Sequence, residues 1–95
     1  MMTVEEIKHI VEPILSRNQV KRASLFGSHA KKTNHPNSDI DILVELDDSM
    51  SLLDFVGIKL ELEDALQRKV DLVEYDAIKP ALRKSILKSE VSIYG

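Results

Sequence analysis

Cysteine and tryptophan are both absent from the 95 residues. Without cysteine there is no disulfide framework and no thiolate metal centre. No apolar run approaches the roughly 18 to 20 residues that cross a bilayer. The opening MMTVEEIKHI carries early acids where a secretory leader would be basic and then apolar. Neither a membrane span nor an export signal is expected, and the cytoplasm is the expected compartment. Glycine and proline are scarce at three each, and no repeat or Gly/Ser linker breaks the chain. Residues 1–95 therefore read as a single domain with one modest core. Positive charge is also in short supply, with 13 Lys+Arg against 16 Asp+Glu for a net charge of −3. That balance argues against direct nucleic-acid binding, which needs a basic surface. With two Tyr and two Phe, the chain has no aromatic-rich platform for stacking bases.

What the sequence does contain is clear periodicity. Residues 3 to 17 read as an amphipathic helix, with Val4, Ile7, Val11, Ile14 and Leu15 at helical spacing and Thr3 with Glu6 as a capping box. Pro13 inside that pattern predicts a kink or a tighter last turn. VKRASLF (20–26), DIDILVEL (39–46) and VDLVEY (70–75) read as strands, and VSIY as a short fourth. Asp47, Asp48 and Ser49 supply a turn and cap before a helix over 50–68, whose apolar stripe is Phe55, Ile58, Leu62, Ala65 and Leu66. Pro80 opens a helix over 80–88, at the position where a missing N–H matters least. Strands alternating with helices predict an α/β (α+β) fold, a mixed sheet of three to four strands packed by helices.

The chemistry concentrates in SLFGSHAKKTNHPNSDIDILVEL, residues 24–46. Side chains two apart on a strand share a face, so Asp39 and Asp41 point the same way, roughly 6 to 7 Å apart. Two like charges at that spacing repel, and in a partly dry site one takes up a proton. A divalent cation reverses that logic, because magnesium seeks one or two protein carboxylates and completes its shell with water and phosphate oxygens. The plainer alternative has Asp39 capping a turn after Ser38 and Asp41 on an exposed sheet face. Gly27 and Ser28 close the preceding strand. Glycine lets backbone approach a ligand, and a helical turn after it would offer free N–H groups to phosphates.

Gly27-Ser28, ten residues, then Asp39-x-Asp41 resembles the signature of the nucleotidyltransferase superfamily related to DNA polymerase beta. SLFGSHA, SDIDILVEL, ALQRKVDLVE and IKPALRKSILKSEVSIYG together resemble a minimal nucleotidyltransferase, the small family usually encoded beside a HEPN-domain protein, over nearly the whole chain. The resemblance implies a polymerase-beta-like fold and a metal site of Asp39, Asp41 and Asp71. It implies two magnesium ions, replaceable by manganese, with ATP as substrate held by Gly27, Ser28 and Lys31. The family's usual glycine after Gly-Ser-x-Ala is missing here, where the run is Ala30-Lys31-Lys32. The resemblance further implies an antitoxin that transfers AMP from ATP to a tyrosine of a HEPN ribonuclease toxin. A binding module that neutralises the HEPN partner by occlusion is the competing reading, and transfer to RNA ends or a small alcohol is a third. Glu74 and Asp76 do not match the third acid's position. His9, His29, His35, Lys79, Arg83 and Lys84 read as solvated surface, and Tyr75 and Tyr94 as packing. A homo-oligomer stays open, since small domains with exposed apolar helix faces often pair.

Overall fold

The computed structural model describes residues 2–26 and 39–95. Gly27, Ser28, His29, Lys31 and His35 lie outside the described residues.

Helix α1 (Val4–Arg17) starts where the Thr3 hydroxyl accepts a hydrogen bond from the Glu6 N–H at 3.1 Å, satisfying one of the orphan donors of a helix start. It buries Ile7, Val11, Ile14 and Leu15, each worth roughly 1.5 to 3 kcal/mol when fully removed from water. The tighter last turn allowed for at Pro13 does not form, because the helix stays α-helical to Arg17. Pro13 and His9 are both exposed, so water can serve the His9 carbonyl that proline leaves without a donor.

Strands β1 (Arg22–Phe26) and β2 (Ile40–Glu45) pair antiparallel. Helix α2 (Leu52–Leu66) then crosses to β3 (Val70–Glu74), which pairs parallel with β2. A 3-10 turn (Tyr75–Ala77) leads to α3 (Pro80–Ser89), and β4 (Val91–Tyr94) returns antiparallel beside β1. The sheet order is β3-β2-β1-β4, the mixed four-stranded sheet expected, with edges at 40–45 and 70–74 slightly inside the predicted ones.

The cap of α2 differs from expectation. Asp47 and Ser49 form only the turn, in which the Ser49 N–H donates to Asp47 Oδ1 at 3.0 Å and the Met50 N–H to the Asp47 carbonyl at 3.0 Å. The N-cap is Ser51, whose hydroxyl accepts from the Asp54 N–H while Asp54 Oδ2 accepts from the Ser51 N–H. Ile58, Leu62 and Leu66 are buried as expected and Phe55 half so, but Ala65 faces outward. The helix ends at Gln67, which adopts the left-handed conformation at φ 55°.

The two sheet faces are covered unequally. Ala23, Leu25, Ile40, Ile42, Val44, Val70, Leu72 and Ile93 point to one side, where α1 and α2 close over them into a single core. Asn18 ties these two helices, donating to the Ile14 carbonyl at 2.8 Å and to Glu61 Oε1 at 3.0 Å. On the other side a smaller cluster of Leu43, Tyr75 and Ile78 is joined by half-buried Phe26, Val73, Ile86 and Leu87. Helix α3 buries none of its own residues fully, so it shields only part of that face.

Candidate active site

On the lightly covered face, strand register decides which side chains are neighbours. Phe26, Asp41 and Asp71 are successive partners across β1, β2 and β3, and Ser24, Leu43 and Val73 form the next row. Side chains in one row of a sheet stand on the same face. The Leu43 row lies within the small cluster that α3 covers. The Asp41 row lies one step nearer the start of β2 and β3. Asp41 and Asp71 come from segments thirty positions apart, brought together because α2 returns the chain parallel and in register.

Asp41 is half-buried and Asp71 exposed. Burial pushes the Asp41 carboxyl up from 3.8 to about 6, and the neighbouring charges of Asp71 and then Asp39 push the same way. Asp39 is exposed and just precedes β2, which begins where the Ile40 N–H donates to the Lys69 carbonyl at 3.0 Å. Among the described residues no three acidic or histidine side chains are gathered closely enough to hold a metal ion. Asp41 and Asp71 are thus adjacent by register, with Asp39 acting on Asp41 through its charge, short of a closed ligand set. Hard carboxylate oxygens whose charges crowd Asp41 nonetheless suit a divalent cation, which would relieve the repulsion and needs only one or two of them.

Other acids go elsewhere. Glu74 pairs with Val44 at the far end of β3. With Glu45, Asp47, Asp48, Tyr75 and Asp76 it lines a hollow beyond the other ends of β2 and β3. That hollow is removed from the Asp41 row, and no sequence motif points to it. His9, Lys79, Arg83 and Lys84 are exposed, as expected of surface. Tyr75 packs, as expected, and also bonds. Its hydroxyl stands 2.8 Å from Ser24 Oγ and 2.9 Å from Glu90 Oε2, and the Arg22 guanidinium lies 4.1 Å above its ring. Sequence reasoning gave Phe26 no role beyond its strand. Its place as the last strand residue before Gly27 was the available signal, and register sets it beside Asp41.

Residues 5–95 match the family described as polymerase beta, nucleotidyltransferase. The chain belongs to that family. A Methanocaldococcus jannaschii protein named "putative protein adenylyltransferase" is 47% identical over 92 residues, 97% of this chain and 99% of that one. The protein adenylyltransferase MntA of Thermococcus cleftensis is 33% identical over 98% of both chains. Among solved structures, a toxin–antitoxin crystal structure with AMP-PNP superposes with a TM-score of 0.80 at 28% identity, covering 93% of this chain and 73% of that one. This nucleotidyltransferase carries its Asp-x-Asp at the start of β2 and its further aspartate, Asp71, in register on β3. No helix among the described residues is long and apolar enough to cross a membrane.

Proposed function

We propose that this nucleotidyltransferase is a magnesium-dependent protein adenylyltransferase, an antitoxin that moves AMP from ATP to a tyrosine hydroxyl of a HEPN ribonuclease toxin. The observation that carries the reading is the direct register of Asp41 with Asp71 on the sheet face that α3 leaves partly open. The adenylyltransferase names of two relatives and the toxin–antitoxin assembly of a structural neighbour support it.

Asp39, Asp41 and Asp71 would hold the divalent ions, which supply charge neutralisation for the triphosphate and for the oxygens that attack and leave. The acceptor oxygen bonds to the α-phosphorus as the bond from that phosphorus to the α–β bridging oxygen breaks, and pyrophosphate departs. Asp71 is exposed, so its carboxylate is open to the acceptor side and can take the hydroxyl proton. Asp41 sits deeper, between Phe26 and Asp71 in the row, where fixed charge counts for more than in water. Gly27, Ser28 and Lys31 would grip the phosphates. Chemistry of this kind relies on positioning and charge.

The test is transfer of α-labelled ATP onto a co-expressed HEPN partner, with intact mass of the partner as second readout. Added AMP units that vanish in Asp39→Asn with Asp41→Asn, while the complex still forms, are expected. Full protection of cells by that double variant would show occlusion instead.

A further inference from the structure

We infer that the outer side of α3 receives an acidic stretch of the protein that accepts AMP. The choice of partner rests on the adenylyl transfer proposed above, and the surface itself rests on charge and position. Lys79 at the helix N-cap, Arg83, Lys84 and Lys88 are all exposed, and residues 79–89 contain no acid. In a chain of net charge −3 that is a local excess of the opposite sign. None of the four stands in an ion pair among the described residues, where Arg17 pairs with Glu61 and Arg22 with Glu45. The acids nearest in sequence are placed elsewhere. Glu90 holds its carboxylate 2.9 Å from the Tyr75 hydroxyl, and Glu74 and Asp76 line the hollow beyond the strand ends.

Position ties this charge to the acid row. Half-buried Ile86 and Leu87 pack on the cluster of Leu43, Tyr75 and Ile78, which fixes the side of α3 that meets the sheet. Lys84 and Lys88, one turn apart, and Leu82, 53% exposed, lie on the remaining circumference. The sheet face beneath α3 is the one that carries Asp41 and Asp71. A partner whose hydroxyl reaches Asp71 therefore meets α3, whereas α1 and α2 close the opposite face. Helix α3 buries no residue fully, yet Tyr75 holds it near both ends. The Tyr75 carbonyl accepts from Arg83 Nη1 at 3.5 Å, and its hydroxyl meets Glu90 just past the last turn. A surface ordered before contact loses less freedom on binding.

Charge complementarity selects an acidic protein surface as the occupant. Unpaired cations on one element attract and orient such a partner during encounter, when the rest of an acidic chain would repel it. A second copy would set like cations against one another. Single-stranded nucleic acid is a poorer fit, because α3 carries no aromatic residue on which bases could stack. The triphosphate is a poorer fit as well, since Lys84 and Lys88 lie off the side of α3 that meets the sheet bearing Asp41 and Asp71.

Isothermal titration of the full chain into the HEPN protein encoded beside it, without ATP and at low and high salt, reads the result. Wild-type affinity is expected to fall as salt rises, as contacts between exposed charges do. Lys84→Glu with Lys88→Glu should weaken binding about tenfold or more at low salt, with a smaller deficit at high salt. Lys84→Gln with Lys88→Gln should fall between that pair and the wild type. Lys8→Glu with Lys21→Glu, an equal change of charge at exposed residues off α3, should cost about twofold at most. Far-UV circular dichroism checks folding. In transfer assays the α3 variants should raise KM for the acceptor and leave kcat and KM for ATP unchanged. A wild type that does not bind, α3 variants that bind as it does, or a raised KM for ATP in place of the acceptor overturns the assignment. So does α3-dependent binding of a single-stranded RNA of about 20 nucleotides in place of the HEPN protein. Binding through α3 with no AMP added on supplying ATP would keep the surface and refute the transfer.

Discussion

The two faces of the sheet are built from the same four to six positions of each strand, yet they differ in what they carry. The face under α1 and α2 is continuous hydrocarbon from Ala23 to Ile93. The opposite face carries Phe26, Asp41 and Asp71 in one row and Leu43 in the next, with α3 and a 3-10 turn over part of it among the described residues. Stability therefore resides mainly on one side of β2 and the proposed reactivity on the other, one residue apart along the strand. A carboxylate with a raised pKa is tolerable at Asp41 because Ile40 and Ile42 on either side are fully buried.

If that division holds, changes at the acid row should abolish chemistry and leave the fold intact. Asp41→Asn and Asp71→Asn are each expected to lower AMP transfer on the order of 10³-fold, as loss of a key charge-stabilising group does, with an unchanged melting temperature or a higher one. Rates from α-labelled ATP beside thermal melts check this. Conversely, Leu62→Ala on the hydrocarbon side should cost about 3 kcal/mol by cavity formation, read by urea denaturation, while transfer per folded molecule stays near wild type.

The third expectation concerns pH. Because the folded-state pKa of Asp41 is raised from 3.8 to about 6, the native state holds more protons than the unfolded state between those values. Stability without divalent cations should thus fall as pH rises from about 4 to about 6, by roughly 1 to 2 kcal/mol after discounting for partial exposure. Asp41→Asn should flatten that slope, as should magnesium at the upper end. A slope of opposite sign would remove the argument that the row is strained by its charges. The smallest effect is expected far from both faces, where Ser51→Ala should destabilise α2 by about 1 kcal/mol, visible as a small fall in melting temperature with transfer unaffected.

The hydrocarbon side was readable from periodicity alone. Val11, Ile58 and Leu62 recur at helical spacing, and Ile40, Ile42 and Val44 alternate along β2. Asp39 and Asp41 stood out because acids are unusual in so apolar a strand. The Asp41–Asp71 pairing was not derivable from composition or local pattern, since register follows from how α2 returns the chain. The resemblance to a known family supplied that expectation. The cap moved from Asp47–Ser49 to Ser51 because Asp47 spends its carboxylate on the Ser49 N–H, and local side-chain competition of that kind is invisible in residue type. The Tyr75 network escaped notice for a similar reason, as Ser24, Tyr75 and Glu90 meet only in three dimensions.

Strand β1 has one further consequence, for assembly in time. It lies inside the sheet between β2 and β4, so residues 22–26 cannot acquire their second neighbour until residues 91–94 have been synthesised. Until then one edge of a strand containing Leu25 and Phe26 stays open, and open edges invite foreign pairing. A nascent chain on the ribosome would hold that edge open through translation of α2, β3 and α3, so premature termination after α3 should be more damaging than the loss of four edge residues suggests.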